Sequence, residues 1–160
     1  MPVMRECLDV PGNALRFRDM AVGMVGKADF VLNGVFDITR SAAGTDQIVV
    51  MLTKCRDHVS ANTCEHFQTW RFRKGVCRIM FGDGSIGASF QKYVSPRPAC
   101  PAVKGTYTIR NATVDMKLLQ TLPLPLEGNV WLVRFIINES SRKVHMCSDT
   151  EMRFHRVRDD

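Results

Sequence analysis

The sequence predicts an all-β fold, a two-sheet sandwich or a barrel cross-linked by disulfides. Short runs in which apolar and polar side chains alternate are typical of strands with one buried face. Clusters of Gly, Pro, Asn and Ser separate these runs, and six cysteines are spread over the 160 residues. Several short strands joined by turn residues favour a sandwich or a barrel.

The predicted strands recur along most of the chain. In residues 30–39 the polar side chains Asn33 and Asp37 have the opposite parity to the apolar ones, as expected for a strand with one wet face. The same alternation is present in residues 15–18 and 131–135. Further β-rich runs occupy residues 47–54, 77–81, 105–116 and 143–154.

Two segments predict short helical turns. The first is residues 63–73, where Asn62 or Thr63 is a candidate N-cap and Glu65 lies in the first turn. The second is residues 114–121. Both segments are too short to define the fold.

Residues 82–87 match the glycine pattern G-x-G-x-x-G of dinucleotide-binding sites. That site needs a helix opening on the third glycine and a following parallel strand, and too few residues precede Pro96 to form that helix. We therefore predict a hairpin turn between Phe81 and Phe90. The proline-rich residues 96–101 are predicted to be a pinned loop, which leaves a single domain over residues 1–160.

The cysteines and two glycosylation sequons indicate an oxidising compartment. No Cys-x-x-Cys pair is present, so three disulfides are the simplest interpretation, and a cytosolic protein with six free thiols is the alternative. The sequons make Asn111 and Asn138 the predicted glycosylation sites. Residues 1–6 lack an apolar signal core, so we expect that a leader has been removed or replaced by an initiating Met. No apolar run is long enough to span a bilayer.

Net charge and sequence motifs limit the classes of partner and function that we expect. A net charge of +6 and a pI near 9.2 favour anionic partners. The only dense basic stretch, within residues 56–78, is either a solvated face or a patch that touches an anionic membrane. We expect no nucleic-acid partner. The four histidines are spread apart and no catalytic signature is present, so we expect no enzyme, metal or cofactor. A secreted hydrolase stays an alternative, because the members of a catalytic triad need not be adjacent in sequence.

Some predicted strands are apolar on both parities, notably residues 48–52 and 130–137. Central strands covered on both faces explain this pattern, and so do two sheets held apart around an apolar cavity. The nine methionines favour the cavity, since flexible thioethers adapt to varied ligand shapes. Residues 65–74, which interleave aromatic and basic side chains, form either a membrane-touching lip or a buried amphipathic turn. The leucines of residues 122–128 either line a pocket mouth or cover one end of the sandwich.

A resemblance to a known family rests on the cysteine framework and its flanking residues. The segment Thr-Cys-Glu-His-Phe at 63–67 is followed by Cys-Pro-x-x-Lys-Gly-x-Tyr at 100–107, the Leu-Pro segment at 122–128, a closing strand and Cys147. Together they resemble the ganglioside activator branch of the ML lipid-recognition superfamily, including its arthropod chemosensory relatives. The Cys-Pro-x-x-Lys-Gly-x-Tyr segment is the most specific part.

The resemblance implies an immunoglobulin-like β-cup of two sheets around an apolar cavity that takes acyl chains. It also implies disulfides Cys7–Cys147, Cys55–Cys64 and Cys77–Cys100. This chain lacks one cysteine pair of the ganglioside activator, which leaves the loop after Cys77 freer and makes ganglioside specificity doubtful.

We therefore predict a secreted lipid-binding or lipid-transfer protein, extracellular or in the lysosomal lumen, which holds an acyl-chain lipid and presents it to an enzyme or receptor. The alternative is a solid-core extracellular module that binds a receptor or an acidic glycan through its basic face. The predicted cavity residues are Phe30, Leu32, Phe36, Val50, Leu52, Ile79, Phe81, Tyr107, Ile109, Trp131, Val133, Phe135 and Ile137, with Phe67, Trp70, Leu122 and Leu124 at the entrance.

Overall fold

A computed structural model describes residues 3–25, 29–82, 86–115, 125, 128–140 and 143–153. Strands dominate this part of the chain, which confirms the all-β prediction. The strands are β1 Val3–Glu6, β2 Leu15–Val25, β3 Asp29–Ile38, β4 Gln47–Arg56, β5 Cys64–Phe72, β6 Val94–Ser95, β7 Gly105–Asp115, β8 Asn129–Asn138 and β9 Val144–Arg153. The two helices are α1 Val76–Phe81 and α2 Ile86–Gln91.

The strands form two antiparallel sheets, as in a sandwich. The five-stranded sheet has the order β1-β9-β8-β4-β5, and the four-stranded sheet has the order β2-β3-β7-β6. Met146 of β9 packs against the core of the four-stranded sheet, so the two sheets face each other. No helix in the described residues has the length and hydropathy needed to cross a bilayer.

The six cysteines are paired as the resemblance implies. Cys7–Cys147 joins the end of β1 to the middle of β9, Cys55–Cys64 closes the β4–β5 hairpin, and Cys77–Cys100 ties α1 to the loop before β7. The last bridge pins the proline-rich loop, as predicted. Three disulfides are typical of a protein that folds in an oxidising compartment.

The predicted helical turn at residues 63–73 is wrong, because these residues form strand β5. Phe67 and Trp70 are three residues apart, which is the spacing of one helix face. In β5 they reach the same face of the sheet because a register shift opposite Leu52 and Thr53 inserts one extra residue into the strand. Cross-strand pairing and the Cys55–Cys64 bridge outweigh the local helical pattern.

The predicted strand at residues 77–81 and the predicted hairpin turn after Phe81 are also wrong. Residues 76–81 form α1, with Val76 buried, and α2 ends at Gln91. A short apolar run fits a strand or a buried helical turn equally well. Here the Cys77–Cys100 bridge fixes the segment without a ladder partner among the described residues.

The second predicted helical turn, at residues 114–121, is wrong for its two described residues. Val114 and Asp115 belong to β7 and pair with β3. Residues 116–121 lie outside the described part of the chain, as do the predicted entrance residues Leu122 and Leu124.

Candidate functional site

On the inner face of the five-stranded sheet, the neighbouring strands β4 and β8 carry mainly apolar side chains. Residues directly opposite each other in an antiparallel pair lie on the same face. Strands β4 and β8 pair in unbroken register, so every second residue of each contributes to this face. The inner pairs are Ile48 with Ile137, Val50 with Phe135, Leu52 with Val133, and Lys54 with Trp131.

The four-stranded sheet supplies the opposing surface. On β3 and β7 the register places Phe36 opposite Tyr107, and their rings stack with centroids 5.0 Å apart. Leu32, Tyr107 and Ile109 are buried in one cluster, against which Phe36 packs. Phe30 has the same parity as Leu32 at the far end of β3 and is half-buried. The structure therefore brings together most of the predicted cavity residues from both sheets.

Burial along the inner faces is uneven. At the end of the sandwich where β3 ends and β4 begins, the inner side chains are almost fully buried. These side chains are Ile38, Ile48 and Ile137. Val133 and Phe135 lie on β8, the middle strand of its sheet, and yet both remain only half-buried. Close packing of two sheets would bury such positions. The apolar face of β8 is therefore incompletely covered by the opposing sheet.

Aromatic side chains line the edge of this incompletely covered region. Phe67, Trp70 and Phe72 project from β5, the edge strand, and each remains more than a third exposed. Phe67 meets Trp131 edge to face, with ring centroids 5.0 Å apart. The predicted entrance residues Phe67 and Trp70 thus lie at one margin of the inner face.

Two predicted cavity residues need correction. Ile79 and Phe81 were assigned to an inward-facing strand, whereas both lie on α1. Ile79 is 44% exposed and Phe81 is half-buried. Ile79 is therefore a surface residue, because the direction of its side chain follows the period of a helix and not the alternation of a strand.

Polar groups at the β5 side of the inner face were missed at the sequence level. Lys54 continues the parity of Val50 and Leu52, pairs in register with Trp131, and is half-buried. Its Nζ lies 6.0 Å from the centroid of the Phe67 ring and 3.5 Å from Oε1 of the exposed Glu65. The alternation alone contained this signal, since Lys54 falls two residues after Leu52.

Trp131 is almost fully buried, and its indole Nε1 has no hydrogen-bond partner in the part of the chain that the structure describes. A buried donor without a partner costs about 1–3 kcal/mol. Together with the nearby ammonium group of Lys54, it gives one end of the apolar face a polar character.

A cleft of about 300 Å³ lies on the five-stranded sheet and is lined by residues that include Met51, Leu132, Arg134, Asp149 and Glu151. Its charges are paired within the protein. Arg134 donates hydrogen bonds to Asp149 at 2.9 Å and 3.0 Å, which are the main cause of its raised pKa. Bonds from Arg134 also lower the pKa of Asp9. Each charged side chain described in the lining of this cleft therefore has an ion-pair partner.

Asp149 also lies beside Cys7 and Cys147, the only cluster of potential metal-ligating side chains in the described residues. Both sulfurs are joined in a disulfide, so neither is available as a thiolate ligand.

Comparisons with known proteins give no family. No family model and no curated protein matches the chain. The solution structure of R. palustris CsgH is 13% identical, with 84% of this chain and 91% of that one covered and a TM-score of 0.24.

The crystal structure of Bacteroides uniformis beta-glucuronidase is 10% identical with a TM-score of 0.29, and a calcium-binding mutant of Bacteroides uniformis beta-glucuronidase 2 is 11% identical with a TM-score of 0.28. Each match covers 94% of this chain, but the chain spans only 14% of either enzyme. Likenesses this weak assign neither a fold family nor a function.

Proposed function

We propose that this chain is a secreted lipid-binding or lipid-transfer protein that holds an acyl chain between its two sheets. The observation that carries the proposal is the incomplete burial of Val133 and Phe135 on the inner face of a central strand. A ligand that covers apolar surface at such a position gains about 0.8 kcal/mol of binding free energy for each methylene group that it buries. The resemblance of residues 100–107 to the ganglioside activator branch of the ML superfamily supports the same function.

The ligand that fits this face best is an amphiphile with an anionic or hydrogen-bond-accepting headgroup. The acyl chain would cover Val50, Val133 and Phe135, the apolar inner residues of β4 and β8 that are only half-buried. The headgroup would lie toward Lys54 and Trp131, which offer a cation and an indole N–H that has no partner among the described residues. A headgroup there would also compete with Glu65 for the Lys54 ammonium group.

Strand β5 is the proposed route of exchange with a membrane. Phe67, Trp70 and Phe72 are exposed along it, and the exposed Arg71 and Arg73 lie between and beyond them. Aromatic side chains favour the headgroup region of a bilayer, and each nearby Arg or Lys adds about 1 kcal/mol at an anionic surface. A lipid would then pass between the bilayer and the inner face past Phe67, and be presented from there to an enzyme or receptor.

Native mass spectrometry of the protein purified from a eukaryotic secretion host tests the proposed function. We expect adducts with the masses of acyl lipids, which disappear on solvent extraction and return when the extracted protein is incubated with a fatty acid or an acidic phospholipid. Tryptophan fluorescence before and after extraction would verify that the fold survives the treatment.

A folded protein with neither copurifying nor exchangeable lipid would overturn the proposal. If the same preparation bound an acidic glycan and lost it with added salt, the solid-core interaction module would be supported instead.

A further inference from the structure

The two glycosylation sequons lie in different environments. Asn111 is on β7, where its side chain is exposed, and Thr113 of the same sequon is exposed as well. The backbone of Asn111 has a positive φ of 51°, a conformation that asparagine adopts more readily than most residues. Its backbone N–H donates to Asn33 Oδ1 at 2.9 Å, so the local backbone is held without the Asn111 side-chain amide.

The side chain of Asn138 is half-buried and engaged in a hydrogen bond. Its Nδ2 donates a hydrogen bond to Gln47 Oε1 at 3.2 Å, and its Oδ1 is buried without a partner in the described residues. A sugar joined to Nδ2 would have to be accommodated beside the half-buried Gln47. Attachment replaces one of the two N–H groups of the amide, so a sugar in place of the N–H that faces Gln47 would break this hydrogen bond.

The rest of the Asn138 sequon is also constrained. Glu139 is only 6% exposed; its carboxylate accepts a hydrogen bond from the Ala43 backbone N–H at 3.2 Å and pairs with Arg40 at 3.5 Å. The backbone N–H of Ser140 donates to the Ala43 carbonyl, and its Oγ lies against Gly44. This sequon is therefore locked to the segment that leads into β4.

We propose that Asn111 carries an N-linked glycan in the secreted protein and that Asn138 does not. In the reaction the Asn111 amide nitrogen bonds to the anomeric carbon of a lipid-linked oligosaccharide. The bond from that carbon to the diphosphate oxygen breaks, the lipid diphosphate leaves, and the amide loses one proton. This modification rests on the secretory route included in the proposed function, but it is independent of lipid binding.

The position of the glycan has a functional consequence. Asn111 follows Arg110 on the four-stranded sheet, with Asn33 of β3 beside it, whereas the aromatic edge belongs to β5 of the other sheet. A glycan on Asn111 would extend into solvent from the four-stranded sheet and leave β5 free to contact a membrane or a partner.

The test is expression with an added secretion leader in a eukaryotic host, followed by glycosidase digestion and peptide mapping in heavy-oxygen water. We expect digestion to lower the apparent mass and to convert Asn111, and not Asn138, to labelled aspartate. Thr113→Ala should abolish the mass shift, Thr113→Ser should preserve it, and Ser140→Ala should leave it unchanged. These variants alter the sequon hydroxyl and leave both asparagines in place.

A secreted, folded protein that lacks a glycan on Asn111, or carries one on Asn138, would overturn the inference while leaving lipid binding unaffected. Lipid content measured by native mass spectrometry on the same preparation separates the two outcomes.

Discussion

Replacing Cys7 and Cys147 together by alanine is expected to lower the free energy of unfolding by about 4–5 kcal/mol. The bridge joins residues 140 apart and therefore restricts nearly the whole unfolded chain. In the chain-entropy model the stabilisation by a disulfide grows with the length of the loop that it closes. Both cysteines are almost fully buried, so the bridge also contributes to packing between β1 and β9.

The matched control is the double alanine variant of Cys55 and Cys64, whose residues are only nine apart in sequence. The same model gives about 2.5 kcal/mol for this short loop. Guanidinium unfolding of the two variants, with the other bridges intact, measures both values. An equal or smaller loss for the Cys7–Cys147 variant would contradict the expectation that the long loop dominates.

Substituting Phe for Val133 is expected to leave stability within about 1 kcal/mol of the parent and to weaken acyl-chain binding about tenfold or more. In a filled core such an enlargement typically costs about 1–3 kcal/mol. Val133 is half-buried on the inner face, so the larger ring has accessible space to occupy. A ring that displaces two methylene groups of the ligand removes about 1.6 kcal/mol of binding free energy.

Ile109→Phe is the control on the opposing sheet. Ile109 is only 3% exposed within the core cluster, so its enlargement should cost the full 1–3 kcal/mol or so of overpacking. Thermal unfolding and fatty-acid titration of both variants provide the comparison. Equal destabilisation by the two substitutions would indicate that Val133 lies in a filled core. It would contradict the claim that the inner face of β8 is incompletely covered.

Alternation predicts the strands of this protein well because period two is imposed locally, by the pleat of each strand. Strand β3 follows its predicted limits to within a residue at each end. Strand β5 was misassigned because its register shift depends on how it pairs with β4, which no local pattern contains. Helix α1 was misassigned because a short apolar run fits a strand and a helix equally well. The bridge from Cys77 to Cys100 holds this run in place without pairing to a strand.

The candidate site was predictable where parity alone determines the facing direction. Val50, Leu52, Val133 and Phe135 were assigned to the inner face on that basis, and the register of β4 and β8 places all four there. How far the sheets stand apart depends on contacts between them, so alternation along the strands is compatible with both a filled core and a cavity. Lys54 was not predicted at this face because its charge interrupts the apolar run two residues after Leu52.

The fluorescence of Trp131 tests most directly whether an acyl chain lies between the two sheets. The chain has two tryptophans, so Trp70→Phe leaves Trp131 as the only one, and Trp131→Phe leaves the exposed Trp70 as a control. We predict that a fatty acid brominated next to its carboxyl group, the end that lies toward Lys54 and Trp131, quenches Trp131 in a saturable manner, and that the unbrominated acid restores the emission. Bound fatty acid that leaves Trp131 emission unchanged, or no binding at all, would contradict the claim that the acyl chain lies between the sheets.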